Sequence, residues 1–407
     1  MTAITIDLTD LEYRLNPWPT YEVLRDQAPV HHVPGGTAAG EDLYVISRYD
    51  DVSNTLRDKK TFSNQVITDE RFNVPVLVNR DAPEHTRLRR NANRAFNAKL
   101  VRNLGSWVQT VIDEVLADAL AGDRVEWVEA FTTTLPLRVV SDMLGIPRDR
   151  KDDFRRWTQA VMNMFAVAAG MDPDEVPGFL EDLLEFGNYM GELAQERKGK
   201  PNRGDILGAL VEEHEAGQLS QDELTIMAWS FIAAGYETTM NLLGGGLRML
   251  LTDPALAKRL TTEPDRTEDF IEEYLRVYSP IQWTLRRPTE DTELHGVRIP
   301  QGALVHVVIG AANRDPRRFP APDAFDIDRD NKSEHLAFGA GPHFCPGSAL
   351  ARLLAGLAFR SYYPVLDRLS IDPEDPPRLR TQQGAYGLAR MSLLVSRGPD
   401  DRKDRTS

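Results

Sequence analysis

Phe338-Gly339-Ala340-Gly341-Pro342-His343-Phe344-Cys345-Pro346-Gly347 governs the reading of this 407-residue chain. It holds the only cysteine, Cys345, so an intramolecular disulfide is impossible and a cysteine-rich zinc site is excluded. Gly339 and Gly341 permit backbone conformations or close approaches that a β-carbon forbids. Pro346 and Gly347 follow the cysteine, and then a helix-like run over 348–359. Proline is favoured at a helix start, so Cys345 is expected at or beside the N-cap. There, free N–H groups and the positive end of the helix dipole favour a thiolate. One thiolate without neighbouring cysteines suits a single axial bond to haem iron and not an iron–sulfur cluster, which wants four. A buried core cysteine is the other reading of a lone Cys.

Upstream, Ser220-Gln221-Asp222-Glu223 is a capping box that opens an apolar-periodic run to about Leu251. A helix of about 30 residues spans roughly 45–50 Å, enough to cross the middle of the molecule. Gly235 and Gly244-Gly245-Gly246 weaken such a helix and predict close packing against something bulky. The run contains Ala234-Gly235-Tyr236-Glu237-Thr238-Thr239. A carboxylate in so apolar a helix needs a partner or a task. On residue type alone, Glu237 can be solvated or salt-bridged, and Thr238 can bond back to its own helix. Helical periodicity also covers 83–97, 107–120, 131–144, 152–168 and 176–195. Extended segments are expected over 43–47, 282–287, 297–299, 304–309 and 381–396. The Pro/Asp/Arg-rich stretch 311–334 has little periodicity, and such a stretch inside a compact domain is usually functional. The reading is mainly α with small β-sheets, a single domain over 1–396. The charged segment 397–407 is expected to be disordered.

Hydrophobic residues make up 41% and charged residues 27%, which excludes disorder for the bulk of the chain. Lys and Arg total 48 against 62 Asp and Glu, a net charge of −14, so nucleic acid and anionic membrane are poor partners. No run of 18 apolar residues occurs, and 226–251 is broken by Glu237 and Arg248. The first residues lack a basic region followed by an apolar run. These features predict a soluble, cytoplasmic monomer in a reducing compartment.

The decapeptide fills every fixed position of Phe-Gly-x-Gly-x-His-x-Cys-x-Gly and so resembles the signature of the cytochrome P450 family. The resemblance runs from about residue 16 to 396. It implies the P450 fold, with haem b between a long central helix and the helix following the cysteine loop. Cys345 would be the thiolate ligand, with Phe338 and Gly347 part of the haem-binding loop. Ala234 to Thr238 resembles the family's Ala-Gly-x-(Asp/Glu)-Thr. There Ala234 leaves room over the haem, Thr238 hydrogen-bonds oxygen, and Glu237 relays protons toward it. Glu273-Tyr274-Leu275-Arg276 matches the family's Glu-x-x-Arg, a buried structural pair, although an i,i+3 pair taken alone is worth little. His85, Arg89, Arg286 and His343 match donors to the haem propionates. Two departures stand out: Ala324 where many members carry an arginine, with Arg329 as a candidate replacement, and Leu354 where many carry Glu.

The implied activity is insertion of one atom of O2 into a medium-sized hydrophobic organic substrate by hydroxylation, epoxidation or O-dealkylation. The chain carries no P-loop, no strand–GxGxxG–helix unit and no cluster cysteines. Electrons are therefore expected from a separate ferredoxin and ferredoxin reductase. Arg87, Arg90 and Arg94 form a basic cluster where an acidic partner could dock, a solvated helix face being the plainer reading. By family position the substrate pocket draws on 62–78 including Val66, on 162–171, and on Phe231, Ile281, Gln282, Trp283 and Tyr386. Asn64, Gln65 and Asn163 would add polar handles. A peroxide-driven haem-thiolate peroxygenase and a non-catalytic haem-thiolate binding protein are the alternatives.

Overall fold

One helix of 32 residues, Gln221–Thr252, runs through the molecule, and the other elements are arranged around it. The computed structural model describes residues 10–37, 40–67, 76–96, 98–168, 172–202, 205–381 and 384–396. The capping box closes as expected. The Ser220 hydroxyl accepts from the Glu223 N–H, and the Glu223 carboxylate accepts from the Ser220 N–H. The three glycines sit where bulky neighbours press on the helix. A β-carbon at Gly246 would lie 2.4 Å from the Phe359 ring, and one at Gly245 would collide with the Tyr274 hydroxyl. Gly244 faces Thr132 in Val128–Thr133, a π-helical turn.

Around the central helix pack Thr134–Met143, Lys151–Ala168 and Ser348–Tyr362. Together with it they enclose the main core, which includes Trp127, Phe131, Phe270 and Phe359, all fully buried. A five-stranded sheet lies to one side, in the order Val30–Val33, Leu43–Ile46, Leu304–Val307, Thr284–Pro288, Phe62–Ser63. Leu43–Ile46 reads as an unbroken apolar run because both its faces are covered. Leu43 and Val45 face a cluster with Tyr21 and Leu24, while Tyr44 and Ile46 face one with Val52 and Leu56. The end of the chain supplies Arg378–Leu379 paired with Leu388–Arg390, and Ser392–Val395 between Arg124–Glu126 and Leu369–Ile371.

Periodicity located most helices but not their limits. The helix read over 107–120 begins at Ala98. Ile206–Glu215, not anticipated, starts at Asp205, whose carboxylate accepts from the Gly208 N–H. The 311–334 stretch is ordered by side chains more than by backbone pairing. Arg314 and Arg329 reach back from it to Val277 and Glu273. The segment 397–407, residues 68–75 of the pocket loop and residues 169–171 lie outside the described residues. Among the described residues, no helix is long and apolar enough to cross a membrane.

Candidate active site

The cysteine loop folds back on itself. The Cys345 N–H donates to the Phe338 carbonyl at 2.9 Å, and the Phe344 N–H to that of Gly341 at 3.1 Å. Gly339 and Gly341 have φ of 71° and 69°. At Gly341 the need for glycine is also steric, since a β-carbon would lie 2.9 Å from the backbone of Leu56 and Arg57. The following helix starts at Ser348 with Gly347 as N-cap, so Cys345 stands two residues before the cap and not on it. The N–H groups of Gly347 and Ser348 still reach its sulfur. The expected lowering of the thiol is not realised. Burial pushes it up and outweighs those N–H groups and the cations Arg89 and Arg352. A metal on the sulfur would reverse that balance, because a coordinating thiol gives up its proton outright.

Four basic residues converge beside this loop. His85 and His343 lie ring against ring, centroids 3.8 Å apart. His343 is held down to about 3 by burial and by the nearby His85, Arg286 and Arg89. Arg286 is buried and lowered to about 10, chiefly by desolvation. Its guanidinium donates to the neighbouring Leu285 carbonyl at 2.6 Å. Arg89 is also lowered by burial, and its Nε donates to Asn93. The buried Nε2 of His85 has no protein partner. A cavity of about 790 Å³ adjoins the cluster, with His85, Arg89 and Pro342 among its walls. Two arginines desolvated beside two imidazoles, one with an unpartnered nitrogen, favour anionic acceptors, and two carboxylates on a flat apolar group would meet that requirement.

Ala234 is exposed in the middle of a helix whose neighbours Phe231, Ile232 and Glu237 are buried, so the helix turns an open face inward there. Thr238 Oγ1 donates to the Ala234 carbonyl at 2.8 Å. Glu237 is tied to Arg380 at 2.6 Å, an ion pair reaching across from the Arg378–Leu379 strand. Taken together, a lone cysteine in a glycine-shaped loop, two arginines and two histidines gathered beside it and an open face at Ala234 fit a haem.

The Glu273 carboxylate is fully buried. Arg276 meets it with two hydrogen bonds, at 2.8 and 2.7 Å, and Arg329 adds a third at 3.1 Å. Arg329 thus fills the place left by Ala324, whose carbonyl both arginines also reach.

Several of the expected pocket residues make firm contacts with the rest of the chain. Gln282 is buried and fully engaged: its amide donates to the carbonyls of Tyr278 and Ser279, and its oxygen accepts from Tyr21. Trp283 stacks on His306, centroids 4.1 Å apart, within the cluster on the outer face of the sheet. Tyr386 packs on Trp18 and Tyr278. The Gln282 amide is fully occupied by these bonds, whereas Trp283 and Tyr386 remain partly exposed beside their ring contacts. Asn64 likewise donates to the Val78 carbonyl. Phe231 meets Phe96 edge-on, and Val66 and Ile281 remain partly exposed. The basic cluster is also revised. Arg87 pairs with Glu223, Arg94 with Glu213, and Arg90 donates to Gln218, so these cations tie the helix Glu84–Ala95 to the end of Ile206–Glu215, the turn after it and the start of the central helix. Arg380 escaped sequence reasoning, since nothing local links it to Glu237, 143 residues away.

A sequence profile described as cytochrome P450 matches residues 30–388. Cytochrome P450 107B1 of Saccharopolyspora erythraea is 36% identical over 377 residues, covering 87% of this chain and 89% of that protein. The 6-deoxyerythronolide B hydroxylase of the same organism is 32% identical over 397 residues, covering 92% and 95%. Among solved structures, the bacillaene polyketide synthase cytochrome P450 PksS of Bacillus subtilis superposes with a TM-score of 0.86 at 28% identity, covering 97% of this chain and 100% of that one. With the profile, the relatives and the site geometry in agreement, the chain belongs to the cytochrome P450 family and is a haem-dependent monooxygenase of that family.

Proposed function

We propose that this protein carries haem b on Cys345 and uses O2 with electrons from a ferredoxin to hydroxylate a hydrophobic, polyketide-sized molecule bearing a polar group. The observation that carries the reading is the glycine-shaped cysteine loop beside two histidines and two arginines, with the open face at Ala234. When bound, the haem supplies oxygen activation, with the thiolate pushing electron density toward the iron.

The chain's own residues have separable tasks. Arg89, Arg286, His343 and His85 hold the propionates, and the unpartnered His85 Nε2 gains an acceptor. Ala234 keeps the distal space clear. Thr238 points its hydroxyl proton at the Ala234 carbonyl, which leaves the oxygen lone pairs free to accept a hydrogen bond and so to position a proton donor in the open space. Glu237, one residue away and buried, moves protons inward when its link to Arg380 loosens. Phe231, Val66 and Ile281 supply apolar surface for substrate. The names of the hydroxylase and polyketide relatives support the reaction and the substrate size.

The test is a screen of polyketides, steroids and fatty acids for compounds that displace water from the ferric haem, followed by product analysis. Product bearing one oxygen atom from O2, formed with reduced ferredoxin, is the expected result. Product formed only with peroxide would replace this reading with a peroxygenase.

A further inference from the structure

Adjacent to the buried Glu273, Glu272 points the other way and builds a second brace, this one under the cysteine loop. Arg352, on the helix after the loop, donates to both Glu272 oxygens, at 2.6 and 2.9 Å. His335 Nε2 lies 3.4 Å from the same carboxylate, and His335 Nδ1 accepts from the Ala337 N–H. The carboxylate is 14% exposed. Burial alone would raise it, but hydrogen bonds from Arg352 and His335 hold it down to about 2, so it stays ionised at any working pH.

The guanidinium of Arg352 lies over the Phe338 ring, 4.4 Å from its centroid. Phe338 is the residue whose carbonyl takes the Cys345 N–H. Arg352 is also among the cations acting on the Cys345 sulfur. The order of contact is therefore Glu272, Arg352, Phe338, Cys345: a carboxylate on one helix, a cation on another, an aromatic face, and the sulfur. Nothing in the oxygen or proton steps needs Glu272 or Arg352. Their pairing leaves close to zero net charge below the loop, where Glu272 alone would place a poorly solvated negative charge and Arg352 alone, 36% exposed, a partly screened positive one.

We infer that the Glu272–Arg352 pair is a positioning and charge-balancing device that sets the reduction potential of the iron held by Cys345. The inference rests on the haem-thiolate reading above. Reduction of ferric to ferrous iron adds one negative charge. A nearby unpaired cation favours that step and an unpaired anion opposes it. Glu272→Gln strands the Arg352 cation and raises the potential. Arg352→Met strands the Glu272 carboxylate and lowers it. The double variant restores neutrality and returns close to the parent.

The experiment is a spectroelectrochemical titration of the haem-loaded full chain, with the spectrum of the reduced carbon monoxide complex taken on each sample. The expected shifts are opposite in sign and up to about tenfold in the one-electron equilibrium, which corresponds to 59 mV. Single variants that move the potential in the same direction, or leave it unmoved while the thiolate-type spectrum persists, overturn the proposal. If Arg352→Met fails to retain haem, Arg352→Lys and Glu272→Gln decide: the lysine keeps the charge and stays near the parent, while the glutamine variant rises. A parent protein without the thiolate-type spectrum overturns the assignment of Cys345 instead, which is a separate failure.

Discussion

Glu237 and Thr238 are sequence neighbours with different partners. The threonine bonds within its own helix at 2.8 Å, whereas the glutamate crosses to Arg380. The difference follows from helix geometry, since adjacent positions point about 100° apart. In Thr238→Ala the acceptor oxygen is gone while haem binding stays intact. General acid–base assistance is worth about 10²-fold or more, so product per O2 consumed should fall steeply and peroxide release should rise. Unchanged coupling in that variant would remove Thr238 from proton delivery. At Cys345 the readout is spectral: Cys345→Ala should lose the thiolate-type absorption of the reduced carbon monoxide complex. What the sequence left open at this scale was partnership. Cys345, His343 and Phe338 fall within one decapeptide and were legible together. Arg380, Gln282 and Tyr386 take their roles from contacts with distant segments, which no local pattern encodes. Gln282 looked like a polar handle for a substrate, but three groups from Tyr21 and the 278–279 turn had already claimed its amide.

At the scale of elements, the central helix carries two kinds of glycine. A β-carbon at Gly235 would meet Val140 at 3.5 Å, an ordinary contact, whereas one at Gly246 would lie 2.4 Å from Phe359. Alanine gains about 1 kcal/mol over glycine in a helix interior, while overpacking a core costs about 1–3 kcal/mol. Gly235→Ala should therefore be neutral or slightly stabilising and Gly246→Ala destabilising, as measured by denaturant midpoints of the two variants. Equal effects would mean that Phe359 moves aside freely. The Glu273 brace makes a stronger demand. Arg276→Met leaves a fully buried carboxylate with Arg329 as its remaining cation beside the Asp326 N–H, and removing one member of such a pair typically costs about 3–5 kcal/mol. Loss of haem retention with the sulfur assignment intact would accompany that destabilisation. The capping box, the long helix and the strands at 43–47 and 297–299 were legible because they are written in local periodicity and cap chemistry. Ile206–Glu215 was not. Its start depends on the Asp205 cap, and its apolar residues are nearly continuous, so they show little helical contrast.

Across the whole molecule, acidic excess and arginine-rich bracing combine. On Glu84–Ala95, Arg87 and Arg94 are tied to acidic groups of the chain itself, so only part of that helix's positive charge offsets the −14 net charge. Acid should act mainly through groups whose protonation folding suppresses. His306, stacked on Trp283, is lowered by burial from 6.5 to about 4. Between those values the unfolded chain binds a proton at this site and the folded chain does not. Stability therefore rises with pH across the window and is lost as pH falls from 6.5 toward 4, with no contribution from this residue above about 7. At about 1.4 kcal/mol per unit, the loss is on the order of 2–3 kcal/mol. His306→Phe keeps a ring for Trp283 to stack on and removes the titration. Thermal midpoints of parent and variant, taken from pH 7.5 to 4, should diverge only on the acid side, with the variant falling less steeply. His343 is common to both proteins and cancels from the difference. Parallel curves would mean that the ring of His306 is hydrated in the folded state, and that the sheet's outer face admits water where Trp283 covers it.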